Sequence, residues 1–193
     1  MMNEYTATMF ALTTEKLVLK SLQEEDADGL LAYRAEPAVV RFQLWCPKRP
    51  SEAHAFIRSA QFDGEPQVGR WNQFGIYWRD TNQLIGDIGL NLVNAQQAEI
   101  GYTIALEWQR RGVAKTAVSR LLAYLFDERN LHRIIANADS ENVASIALLQ
   151  KLGFRQEGHF RESYQVNGAW HDEVQYALLH QEWQALHQET AVS

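Results

Sequence analysis

Cysteine is nearly missing from this chain: Cys46 stands alone in 193 residues, so no internal disulfide can form. Four prolines and 11 glycines are too few for a collagen-like or linker-rich chain. No apolar run approaches the length that spans a bilayer, so a membrane partner is not expected. The start, Met1-Met2-Asn3-Glu4-Tyr5, lacks the basic residues and apolar run of a signal peptide, and a cytoplasmic location is expected. The histidines (54, 132, 159, 171, 180 and 187) show neither His-x-x-x-His spacing nor a cysteine partner, so no metal is expected. Positive charge is also short. Lys plus Arg number 18 against 24 Asp plus Glu, and a formal charge of −6 argues against a nucleic-acid partner.

What is present suits one globular domain over residues 1–193, its core about 13–180, with no repeat or linker. Leu17-Val18-Leu19 between lysines reads as a strand, and Glu24-Glu25-Asp26 opens a helix that ends at Pro37. A second helix is expected from Ser51. Strands follow at Trp71 to Arg79, Gln83 to Leu92 and Ala98 to Ala105. Ala117, Val118, Leu121, Leu122, Leu125 and Phe126 then recur at helical spacing, and Arg133 to Ala138 is a further strand. A strand, a helix and a strand in that order imply a right-handed crossover. Another helix runs from about Asn142 to Leu152 and stops at Gly153. Phe154 to Leu179 reads as two strands about an Asn167-Gly168 turn, and His180 to His187 as a last helical turn or two.

The most informative stretch is Glu107-Trp108-Gln109-Arg110-Arg111-Gly112-Val113-Ala114-Lys115, at a handover from strand to helix. Glycine there tolerates positive φ and lets backbone approach a ligand closely. The first helical turn leaves N–H groups unpaired at the positive end of the dipole. Arg110, Arg111 and Lys115 add cationic reach, so Gln109 to Lys115 can hold phosphate oxygens, although a plain connection uses the same residues.

With Asn142-Val143-Ala144-Ser145-Ile146-Ala147-Leu148-Leu149-Gln150-Lys151-Leu152-Gly153-Phe154 some thirty residues on, this loop resembles the GCN5-related N-acetyltransferase (GNAT) superfamily. Thr14 to Leu19, Leu84 to Leu90, Gly158 to Tyr164 and Gly168 to Asp172 are similar to its ribosomal-protein N-terminal acetyltransferase branch. The resemblance covers about residues 13–180. It implies a mixed α/β fold: a twisted, mostly antiparallel sheet of about seven strands flanked by about four helices. It also implies direct transfer of an acetyl group from acetyl-CoA to a primary amine, either a protein N-terminus or a small molecule. A non-catalytic acyl-CoA-binding sensor would keep the loop without needing the residues named next. Monomer and homodimer both fit.

An alkyl ammonium has a pKa near ~10, so the reaction needs a base. The resemblance puts Glu99 in that role, where an exposed strand carboxylate is the plainer reading. Relatives with a glutamate five residues before the helix asparagine would have it at 137, where this chain has Asn137. Ser145 is the candidate acid for the leaving thiolate, because the tyrosine that many relatives carry falls at Leu149. Serine there can equally serve its own backbone. The Ile104 N–H is the implied oxyanion donor. Tyr102-Thr103-Ile104 and Ile134-Ile135-Ala136 are expected to splay into a pantetheine slot beside Asn137. Asn142 is both a helix cap and a candidate contact to the cofactor arm. Trp45, Trp71, Tyr102 and Tyr164 are possible acceptor-pocket walls, although large rings usually fill cores. Arg41, Glu162 and Asp172 are further candidate acceptor contacts, and Cys46 is expected to be a small buried hydrophobe.

Overall fold

The computed structural model describes residues 10–43, 45–166 and 168–191. Asn167 of the expected hairpin turn lies outside them, as does Leu44. The strands are β1 (Ala11–Thr13), β2 (Leu17–Ser21), β3 (Trp71–Trp78), β4 (Gln83–Leu92), β5 (Gln97–Ile104), β6 (Arg133–Asp139), β7 (Arg155–Val166) and β8 (Ala169–Leu179). The helices are α1 (Ala27–Arg34), α2 (Pro37–Val40), α3 (Pro50–Ala60), α4 (Val113–Ala123), α5 (Val143–Lys151) and α6 (His180–Ala191).

One sheet takes the order β1-β2-β3-β4-β5-β6-β8-β7. All neighbours are antiparallel except β5 and β6, which are parallel and joined through α4. The described residues thus hold one strand and two helices more than the expected seven and four. Three-residue β1 is too short to leave an alternation signal. Pro37 starts α2 at its first turn instead of merely ending α1, since a missing N–H costs nothing there. The last helix runs to Ala191, longer than the expected turn or two.

Most of β3 and β4 is buried along its length, as strands covered on both faces must be. On one face Val118, Leu121 and Leu122 of α4, with Leu125 just beyond its end, join one core cluster with Leu19, Ile76, Ile88 and Ile100. On the other, α1 and α3 enclose Leu22, Leu30, Tyr33, Ala53 and Ile57. Gly86 is required where β4 meets β5, because a Cβ there would lie 2.5 Å from the Thr103 carbonyl oxygen. At the far end β7 is an edge strand with few buried residues, its register broken between Gln156 and Gly158 and again between Phe160 and Tyr164.

A buried ion pair ties α1 to the sheet. Asp87 on β4 has no exposed surface, and Arg34 keeps 8%. Arg34 Nε donates to Asp87 Oδ1 at 3.1 Å, and Nη2 donates to Oδ2. Tyr33 Oη donates to Oδ1 at 2.5 Å, and Gln73 Nε2 to Oδ2. The guanidinium also lies 5.4 Å from the Trp45 ring and 5.6 Å from that of Phe56. Removing one partner of such a pair leaves the other charge buried alone. Asp87→Ala is therefore expected to lower unfolding stability by roughly 3–5 kcal/mol, read as a shift of the urea midpoint.

Candidate active site

β5 and β6 pair only from Gln97↔Arg133 to Ile100↔Ala136. Beyond that point β5 stays with β4 as far as Gly86↔Ile104, while β6 stays with β8 as far as Asp139↔Glu173. The two strands diverge and leave a slot. Its β6 wall is Asn137–Asp139. The expected Ile134-Ile135-Ala136 is still paired, because the β5 partners of those residues are Ala98, Glu99 and Ile100.

Side chains alternate across a sheet, so the slot is reached from both faces. Glu99, Gly101 and Thr103 point toward α1 and α3, as do Asn137 and Asp139 on β6 and Glu173 on β8 by their register. Ile100, Tyr102 and Ile104 point toward α4 and α5. A cavity of about 680 Å³ takes in both sides, with Trp45, Trp71, Tyr164, Glu99, Tyr102 and Ser145 among its walls. Trp45, Trp71 and Tyr164, offered from the sequence as pocket walls or as core filling, stand at the cavity: Trp45 stacks on Phe56 at 4.2 Å, and Trp71 remains 44% exposed.

Glu99 is half-buried, and Asn137 Nδ2 donates to its Oε1 at 3.1 Å. Burial raises the Glu99 pKa above the usual carboxylate value, and the Asn137 bond offsets part of that rise. Glu173 is raised as well, by burial first and by the charge of Glu99 second. On the other side, Ser145 lies in the first turn of α5. Its N–H donates to Asn142 Oδ1 at 3.1 Å, so Asn142 is the helix cap. The Ser145 hydroxyl is 2.9 Å from Tyr102 Oη. Burial lifts the Tyr102 phenol above its ordinary pKa.

The loop after β5 has the backbone an anion site needs. Arg110 (φ 60°) and Gly112 (φ 79°) are both left-handed, and Gly112 caps α4. The first-turn N–H groups at Val113, Ala114 and Lys115 have no partner within the helix. Val113 itself is buried, while Arg110, Arg111 and Lys115 are exposed. Gln109 Nε2 donates to the Ile104 carbonyl at 3.0 Å and pins the loop to the strand end. The Ala105 N–H donates to Ile85 on β4, so by ladder alternation the Ile104 N–H faces the slot.

Other expected contacts lie elsewhere. Exposed Arg41 pairs with Glu141, Asp172 accepts from the Glu162 N–H and bonds His159, and none of Arg41, Glu162 and Asp172 lines the cavity. Cys46 is half-buried rather than buried. The charged residues that do line the cavity and were not singled out from the sequence are Arg34, Arg70, Asp139 and Glu173. Strand alternation could have placed Asp139 and Glu173, but only with the β6–β8 register known.

The acetyltransferase (GNAT) domain family matches residues 16–155. The chain belongs to that family. The uncharacterized N-acetyltransferase p20 of Bacillus licheniformis is 34% identical, over 91% of this chain and 99% of that one. The [ribosomal protein uS5]-alanine N-acetyltransferase of Escherichia coli is 29% identical, over 89% and 92%. A structure of a spermidine N-acetyltransferase chimera from Vibrio cholerae and hSSAT superposes with a TM-score of 0.74 at 26% identity, covering 88% of this chain and 99% of that one. This GNAT protein is an N-acetyltransferase, and the resemblance to the ribosomal-protein branch holds.

In this GNAT site, Asp139 joins three strands. Its side chain is 1% exposed, and it accepts from Tyr164 Oη at 2.6 Å and pairs with His171 Nδ1 at 2.9 Å. Burial opposes its charge, yet the bonds from Tyr164, the Glu141 N–H and His171 outweigh that and hold its pKa below the usual value. A carboxyl lowered in this way contributes stability above its unfolded pKa, and that contribution disappears as pH falls through the folded value. Tyr164→Phe is therefore expected to cost about 1.5–3 kcal/mol at pH 7. The gap from wild type should close at acid pH, measured by urea unfolding at several pH values.

Proposed function

We propose that the protein transfers the acetyl group of acetyl-CoA to a primary amine, directly and within a ternary complex. The observation that carries this reading is the slot itself, with Glu99 reaching it from one face of the sheet and Ser145 from the other. The protein fits the cofactor in two places. The unpaired edges of Gly101–Ile104 and Asn137–Asp139 match the amides of a pantetheine arm, which would add between them as a strand does. The left-handed turn and free N–H groups of residues 110–115 match a pyrophosphate.

Acetyl-CoA supplies the activated thioester carbonyl. Glu99 takes a proton from the acceptor ammonium, helped by the raised pKa that burial gives it. The Ile104 N–H faces the slot to meet negative charge on the carbonyl oxygen. Ser145 donates a proton to the departing sulfur. Trp45, Trp71 and Tyr164 enclose the acceptor, and Glu99 and Glu173 favour a cation there. The acceptor we favour is a peptide N-terminus, in line with the Escherichia coli relative's name; a small polyamine is the alternative in line with that of the spermidine enzyme.

CoA release from acetyl-CoA, followed with ribosomal-protein N-terminal peptides, polyamines, amino acids and aminoglycosides, tests the reading. At least one amine should drive release. Glu99→Gln should lower kcat/KM by about 10²-fold or more and remove the acid limb of its pH profile. Because the Glu99 pKa is raised, that limb in wild type should lie above the ordinary carboxylate range. Turnover unchanged by Glu99→Gln would overturn the base assignment.

A further inference from the structure

Nothing in the reading above uses the contact between β5 and α5 at Tyr102. Its Oη lies 2.9 Å from Ser145 Oγ and 3.4 Å from the Ser145 carbonyl oxygen. These residues are 43 positions apart, one on β5 and the other on α5. Either hydroxyl can donate in this pair, and because a phenol is a far stronger acid than an alkyl alcohol and a poorer acceptor, donation from Tyr102 to Ser145 Oγ is the favoured direction. The Ser145 N–H is already spent on Asn142. A serine hydroxyl in a first helical turn usually bends back to its own backbone, where it is of no use to a ligand. In that direction the bond would occupy a lone pair of Oγ and hold the side chain toward β5, with the serine proton left to turn into the slot.

We propose that Tyr102 is a positioning residue that aims the Ser145 proton at the leaving sulfur. This rests on the acetyl-transfer reading and on Ser145 as donor. In the balanced step, Glu99 first passes the ammonium proton on to solvent; the neutral amine nitrogen then forms the C–N bond, the C–S bond breaks, a second proton passes from nitrogen to Glu99, and the Ser145 proton passes to sulfur. Solvent then carries the Glu99 proton back to Ser145, so amine and thioester become amide and thiol. Tyr102 keeps its own proton throughout, as its burial favours. Leu149, buried against the same cavity, leaves no second hydroxyl on this face of α5 to do the task.

A double-mutant cycle of Tyr102→Phe and Ser145→Ala decides it, read as kcat and as KM for acetyl-CoA. Ser145→Ala should lower kcat about tenfold, the modest effect expected for assisting a good leaving group. Tyr102→Phe should lower kcat severalfold with KM unchanged, and should have no further effect in the Ser145→Ala background. Thermal melting of each variant separates this from a loss of folding, and Tyr102→Leu repeats the test if the phenylalanine variant melts early. Equal effects of Tyr102→Phe in both backgrounds, or an effect on KM alone, would overturn the inference and leave the acetyl-transfer reading standing. A neutral Ser145→Ala would remove the donor and this inference with it, while Glu99→Gln would still report on the base. Failure of wild type to release CoA with any amine would overturn the reading and the inference together.

Discussion

Everything functional in this molecule depends on where the parallel pairing of β5 and β6 stops. Each strand has a second neighbour that holds it more extensively: β4 for β5, and β8 for β6. Past Ile100 and Ala136 each follows that neighbour, and the sheet opens into two wings. Backbone groups left unpaired in an interior are costly. A gap lined with them is sustained by water or by a ligand that completes the ladder. The opening also lets groups on opposite faces of one sheet, Glu99 and Ser145, address the same point.

Two carboxylates on the face toward α1 and α3, Asp87 and Glu99, are treated in opposite ways. Asp87 is fully surrounded by donors from Arg34, Tyr33 and Gln73, so its charge is satisfied and its work is structural. Glu99, with one amide donor and a half-buried setting, is held in a site that resists its charge. A carboxylate whose pKa burial raises is of the kind that general-base work uses. Asn137 belongs to the same logic: its amide cannot take a proton, but it donates a hydrogen bond that fixes one Glu99 oxygen.

Much of the fold was legible in the chain. The alternation of β2, the apolar stripe of α4 and the Gly153 stop of α5 are local signals, and the glycine at 112 does sit left-handed at a helix start. The loop and the Asn142 helix pointed to the family because their chemistry is also local in sequence. What remained hidden depends on distance along the chain. Arg34 meets Asp87 across 53 positions, and Tyr102 meets Ser145 across 43, and one sequence contains no record of either meeting. Glu173 enters the cavity only through the register of β8 on β6. The slot was misplaced by three residues on β6 for the same reason, since the end of a pairing is set by the neighbours on the outer sides.

The broken register of β7 has a consequence for how the molecule keeps to itself. A strand of 12 residues at the rim of a sheet would offer a row of free donors and acceptors to any other extended chain. The irregularities at Gln156–Gly158 and Phe160–Tyr164, with Glu162 in left-handed backbone, spoil the regular spacing such templating requires. Charges at Arg155, Glu157, Arg161 and Glu162 add a desolvation penalty for anything docking edge to edge. The rim is thereby insulated against fibril-like growth.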